Sequence, residues 1–237
     1  VYQLIEKYKL TISGLHVHTG SDFGSVDVFM QGAEVIFNIA RNIKNLKFID
    51  FGSGFKVAYK KGDKVTNLTE LGAQMKVAFT QFCKSYGADL EIWFEPGKYL
   101  VSEYGVLLAT STVVKPTPAT TFVGVNTGLN HLIRPMMYDA YHDIVNVSNP
   151  NGEKNHYSVV GYICETDTFG WEREMTTVSQ GDIIGFKNAG AYGFSMSSNY
   201  NSRFRPAEVL IHNGKAQLIR RRETLEDILS THVDIEI

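Results

Sequence analysis

Apolar positions in the first hundred residues switch between two periods. Residues 11–18 read as a strand that stops at Thr19, Gly20, Ser21 and Asp22. Ser25 then offers an N-cap for a helix running to about Asn45, with Phe29, Ala33, Ile36, Phe37, Ala40 and Ile43 at helical spacing. Residues 46–51 are a second apolar run, halted by Gly52, Ser53 and Gly54. Asn67 is placed to cap a second helix that carries Leu71, Met75, Ala78, Phe79 and Phe82 on one face, and Gly87 suits its end. Residues 90–94 form a third run, closed by Glu95, Pro96, Gly97 and Lys98. This βαβαβ order predicts parallel strands with right-handed crossovers. Parallel strands share a direction, so all three polar loops fall at one end of the sheet, where such folds carry their sites.

After about residue 105 the pattern changes to short β-rich runs such as 121–125, 157–162 and 207–211. Asn149-Pro150-Asn151-Gly152 and His212-Asn213-Gly214-Lys215 read as turns between them. Residues 225–229 read as a helical turn or two, and Arg220, Arg221 and Arg222 as a solvated run. The fold class expected is α/β plus all-β. Residues 1–105 would be the β/α part and residues 106–237 a C-terminal β domain, its last segment packing back on the first part. Three β/α units close no barrel, which needs eight strands, and as an open sheet they leave a bare edge. With Val1 rather than Met at the start, the expectation is the later part of a longer polypeptide, or a chain whose missing half is supplied separately.

Composition narrows the choice. The 237 residues carry 23 Lys+Arg against 25 Asp+Glu, a net of -2, which argues against a nucleic-acid binder. Two cysteines, Cys83 and Cys164, build no disulfide framework and fit a reducing compartment. No apolar run approaches the ~18 residues of a membrane span, and no signal peptide is recognisable, so a cytoplasmic location is expected.

Several residues have chemical potential. His16 and His18, two apart on a strand, would face one side; with Glu95 they suggest a metal pair as in barrel hydrolases, although further ligands are lacking. Each is also readable as a packed core histidine, or as a ring stacked on a planar cofactor. Gly20-Ser21 and Gly52-Ser53-Gly54 follow strands, and their backbone N–H groups with the Ser21 hydroxyl would suit a phosphate; ordinary tight turns are the plain alternative. Glu95 follows the apolar run Ile92-Trp93-Phe94 and needs a cationic partner, such as a protonated ring nitrogen or a basic side chain. Cys164 beside Glu165 and Asp167 is either a small buried hydrophobe or a reactive thiol. Arg134, set among Leu132, Ile133 and Pro135, calls for an anion or carboxylate. Gly190-Ala191-Tyr192-Gly193 and Ser198-Asn199-Tyr200-Asn201 place tyrosines in small-residue loops, as turns or ligand contacts.

Taken in order, residues 14–21, 50–55, 95–99, 134–138, 164–167 and 190–192 resemble the motifs of diaminopimelate decarboxylases, pyridoxal-phosphate enzymes of the alanine-racemase-like fold. The resemblance implies part of a pyridoxal-phosphate-binding (β/α)8 barrel followed by a C-terminal β-barrel or sandwich domain. It implies a homodimer with shared sites that converts meso-2,6-diaminopimelate to L-lysine and CO2. His18 would stack on the pyridine ring. Ser21, Gly52, Ser53, Gly54, Glu95, Pro96, Gly97, Lys98 and Tyr192 would hold the cofactor, with Glu95 at the ring nitrogen. Lys98, Arg134, Tyr138, Glu165 and Tyr192 would bind substrate. Cys164 would be the proton donor, reaching the partner subunit's site. A related decarboxylase of another basic amino acid or carboxylated polyamine is the nearest alternative.

Three departures from the family pattern stand out. Ser53 takes the place of a glycine and Lys98 that of an arginine, losing the planar fork. The family's Schiff-base lysine belongs upstream of Val1, so these residues alone are expected to be inactive.

Overall fold

The computed structural model describes residues 1–233 and 235. The chain separates into two units, 1–101 and 102–237. In the first, helix α1 (Tyr2–Tyr8) precedes strand β1 (Gly14–His16), helix α2 (Val26–Ala40), strand β2 (Phe48–Asp50), helix α3 (Leu68–Tyr86), strand β3 (Glu91–Trp93) and the short helix α4 (Gly97–Val101). The strands are parallel in the order β1-β2-β3, with Gly14 opposite Phe48 and Phe48 opposite Glu91.

Helices α2 and α3 bury the faces that their spacing marks. Phe29, Ala33, Ile36, Phe37 and Ala40 meet Leu71, Met75, Phe79 and Phe82 over Ile49 of the central strand and Phe51 just beyond it. The Phe37 and Phe82 rings stack with centroids 4.7 Å apart. Asn67 caps α3, its Oδ1 accepting from the Glu70 N–H at 3.1 Å, and Gly87 ends the helix at φ 86°.

The second unit holds β4 (Leu107–Pro116), β5 (Thr121–Val125), α5 (Arg134–Tyr138), β6 (Ile144–Asn146), β7 (Lys154–Val160), β8 (Thr168–Thr176) and β9 (Ile183–Phe186). Its six-stranded sheet runs β6-β9-β4-β5-β7-β8, with β5 and β7 parallel and the other neighbours antiparallel. Val123, Val125, Val159, Phe169, Ile184 and Phe186 form its core. A separate hairpin joins β10 (Glu208–His212) to β11 (Lys215–Arg220) through Asn213 and Gly214, both at positive φ, as an Asn-Gly turn requires. Helix α6 (Leu225–Leu229) follows.

Some expectations need correction. Helix α1 carries no buried residue, so no apolar stripe marks it in the sequence. The three parallel strands are only three residues each, because their flanks leave the ladder for the loops. Helix α2 stops at Ala40, five residues before Asn45, and Ser25 makes no side-chain capping bond. Residues 134–138 are helical, with Pro135 in the first turn where its missing N–H does no harm. The apolar residues before Glu95 are not buried: Trp93 and Phe94 are 44% and 37% exposed, and Trp93 stacks on Phe48 at 3.9 Å. Arg220 to Arg222 are exposed as expected, and Arg220 pairs with Glu208 and Arg221 with Asp227.

Candidate functional site

In the first unit the three loops at the C-terminal ends of β1, β2 and β3 are interlocked. Val17 N–H donates to Asp50 O at 2.9 Å, and Glu95 N–H donates to Gly52 O at 2.7 Å. Residues 23 and 55 bridge the first two loops, and Phe23 N–H reaches Gly54 O at 2.8 Å. Glycine is obligatory at two points. A Cβ on Gly52 would lie 2.7 Å from Val17 O and 2.9 Å from His18 Nδ1. A Cβ on Gly54 would enter the contact shell of Gly20 O, and both glycines sit at positive φ. Ser53 occupies the turn between them without replacing either.

Glu95 finds its partner in His16, whose Nε2 lies 3.0 Å from Glu95 Oε2. Asp50, buried at 8% exposure, accepts the Gly52 N–H at 2.9 Å. Donor atoms of His16, Asp50 and Glu95 lie within 4.8 Å of one another. His18 is not in that group. Strand β1 ends at His16, so the period-2 relation that would pair the two histidines does not extend to His18, whose ring edge sits by Gly52 instead.

Lys98 is largely enclosed. Its side chain is 11% exposed, Nζ lies 2.6 Å from Asp22 Oδ1, and the Tyr59 ring centroid is 5.5 Å away. The pair ties the segment after β3 to the loop after β1. Replacing Asp22 by Asn and Lys98 by Met, singly and together, is expected to give a coupling of about 1 kcal/mol in urea unfolding, shrinking as salt rises. Additive single effects would show that the pair contributes nothing.

In the second unit the expected residues form two groups. Arg134 opens α5 with its Cζ 6.0 Å from the Tyr138 ring centroid and 5.8 Å from that of Tyr192. Its Nε is buried without a hydrogen-bond partner, an arrangement that suits an incoming anion. Cys164 is exposed, which excludes the buried-hydrophobe reading. Its Sγ donates to Glu165 Oε2 at 3.4 Å, and Tyr200 Oη donates to Glu165 Oε1 at 2.5 Å. These two hydrogen bonds hold the Glu165 carboxyl below its ordinary pKa. Glu165 therefore sits with Cys164 and Tyr200, and no described hydrogen bond or ring contact joins it to Arg134. Tyr200, Asp22, Asp50 and His16 as the Glu95 partner have no assigned site role in the sequence reading. The sequence marks Tyr200 only as a tyrosine in a small-residue loop, a turn or a ligand contact.

Residues 55–190 match the family model described as pyridoxal-dependent decarboxylase, C-terminal sheet domain. The chain belongs to the pyridoxal-dependent decarboxylase family. Residues 1–102 match the model described as pyridoxal-dependent decarboxylase, pyridoxal binding domain. Among curated proteins, diaminopimelate decarboxylase of Methanothermobacter thermautotrophicus is 35% identical over 97% of this chain and 55% of its own length. That of Campylobacter jejuni is 37% identical over 90% and 53%. The chain thus spans about half the length of the curated relatives it matches. A crystal structure of diaminopimelate decarboxylase from M. jannaschii superposes with a TM-score of 0.85 at 32% identity, over 93% of this chain and 51% of that one. The Helicobacter pylori enzyme complexed with L-lysine gives 0.83 at 31%, over 93% and 54%. A lysine/ornithine decarboxylase from Vibrio vulnificus, at 16% identity and TM-score 0.71, shares the fold. The pyridoxal-dependent decarboxylase fold thus bears out the expected class, barrel units followed by a β domain. A hydrolase built on His16 and His18 loses both its geometry and its family context.

Proposed function

We propose that this chain is the C-terminal portion of a diaminopimelate decarboxylase, which with its upstream half converts meso-2,6-diaminopimelate to L-lysine and CO2. The observation that carries the reading is the interlocking of the loops after β1, β2 and β3, where Gly52 and Gly54 let the backbones approach more closely than a Cβ would allow. Glycine loops set so closely at the C-terminal ends of parallel strands suit a phosphorylated planar ring. Ser21, Gly52, Ser53 and Gly54 would take the phosphate, with Pro96, Gly97 and Tyr192 completing the cofactor's surroundings. His18 would offer its ring face, and Glu95 would hold a proton at the ring nitrogen. Pyridoxal phosphate, when bound, supplies a sink for the electron pair left on Cα as CO2 departs.

The remaining steps belong to this chain's side chains. Arg134 and Tyr138 would bind the distal carboxylate, the guanidinium as a two-pronged donor. Glu165, kept anionic by its two hydrogen bonds, would take the distal ammonium. Cys164 would transfer its Sγ proton to Cα, forming the new C–H bond, and the exposed thiolate would regain a proton from solvent. Lys98, held by Asp22, would face substrate and cofactor as a fixed charge. The enzyme would act as a homodimer in the cytoplasm, with Cys164 serving the partner subunit's site. Residues 1–105 would be the barrel portion and residues 106–237 the β domain. Without the upstream lysine that anchors the cofactor, the chain alone would not turn over.

Two related substrates separate this reading from its neighbour. In the completed protein, kcat/KM for meso-diaminopimelate should exceed that for ornithine or arginine by ~10²-fold or more, because the buried Nε of Arg134, left without a carboxylate, penalises them. Equal or reversed preference would move the enzyme to another basic amino acid.

A further inference from the structure

Asp167 is a buried carboxylate, 4% exposed, three residues beyond Cys164. Its Oδ2 accepts the Ile163 N–H at 2.8 Å, which closes the turn that displays Cys164 and Glu165. Its Oδ1 accepts the Leu129 N–H at 2.7 Å, from a different loop. Its backbone oxygen accepts from the Gly161 N–H at 2.7 Å. The loop around Leu129 runs directly into α5 and Arg134, since Leu132 N–H bonds back to Gly128 O at 3.3 Å before the helix begins.

Both loops are shaped to admit this carboxylate. A Cβ on Gly128 would stand 2.7 Å from Asp167 Oδ2, and one on Gly161 would overlap it outright. Neither glycine has a positive φ, so the side chain of Asp167, not backbone strain, explains their lack of a Cβ. Burial pushes the Asp167 carboxyl up despite its two N–H donors, so the site holds a carboxylate where an apolar residue would carry no desolvation cost.

We infer that Asp167 is a positioning residue that locks the Cys164–Glu165 turn to the loop leading into Arg134, fixing the proton donor relative to the carboxylate-binding arm. The functional meaning rests on the decarboxylase reading; the clamp itself does not. Glu165 and Tyr162 are the titratable groups nearest in charge effect, and neither donates to the Asp167 carboxylate.

The test uses the chain as it stands and needs no cofactor. Asp167→Asn keeps the shape but offers one acceptor oxygen in place of two; Gly128→Ala, from the Leu129 loop, crowds Asp167 Oδ2 and the Ile163 side chain. Amide hydrogen exchange is followed alongside alkylation of Cys164 by iodoacetamide, with buried Cys83 as the internal reference. In Asp167→Asn, exchange at whichever of Leu129 and Ile163 loses its acceptor should quicken at least tenfold and the Cys164 alkylation rate should change at least threefold. Cys83 and the β4, β5 and β9 amides should keep wild-type protection. In Gly128→Ala, Ile163 should quicken and the Cys164 rate should change in the same direction. The proposal is overturned if Leu129 and Ile163 both stay protected in Asp167→Asn, if Cys164 reactivity is unmoved in either variant, or if every amide in the unit loosens alike. The last outcome would mark Asp167 as part of the general core.

Discussion

Cys164→Ala, in the protein completed by its upstream half, is expected to lower kcat by roughly 10²–10⁴-fold, the range that a lost general acid removes. Cofactor content and visible absorption should match wild type, because the proposed cofactor contacts are the glycine loops and Glu95 and not Cys164. The physical grounds are exposure and orientation. The thiol is open to solvent, and its hydrogen points at an anionic Glu165 that Tyr200 holds from the other side. Such a thiol can release its proton to a neighbouring carbanion and recover it from water. Steady-state lysine formation, compared with single-turnover CO2 release, separates the steps. Loss of turnover with CO2 release intact places the defect at reprotonation. Unchanged turnover removes Cys164 from the chemistry.

Phe37→Ala is the largest stability change expected. Phe37 is 1% exposed, stacks on Phe82 at 4.7 Å and also meets Phe51 and Phe79. Truncating a ring so enclosed removes its transfer free energy and leaves a cavity, together about 3–5 kcal/mol. Urea unfolding should show the loss in the transition of residues 1–101, with that of residues 102–237 unmoved. A cost below about 1 kcal/mol would mean that α2 and α3 do not form the core that holds the glycine loops in place.

Much of this was legible from local signals. The spacing of Phe29, Ala33, Ile36 and Phe37 marks a helix because one face must be buried, and the structure buries those residues. Asn67, Gly87 and Asn213-Gly214 announce their own geometry through cap and turn chemistry. What resisted reading depends on distance in sequence. His16 meets Glu95 across 79 positions, Lys98 meets Asp22 across 76, and Tyr200 meets Glu165 across 35. No periodicity encodes such pairings. Helix α1 was invisible for the opposite reason: with nothing buried it carries no stripe. The apolar pattern predicts longer parallel strands than form, because the apolar residues that flank them, such as Leu46 and Phe51, serve the core from outside the ladder.

The most direct measurement is the crystal structure of the completed protein with pyridoxal phosphate. A Glu95 carboxylate oxygen should lie within about 3 Å of the ring nitrogen, with the phosphate against Ser21 and the loop of Gly52 and Gly54. A ring nitrogen facing another group, or a phosphate bound away from those loops, would contradict the assignment.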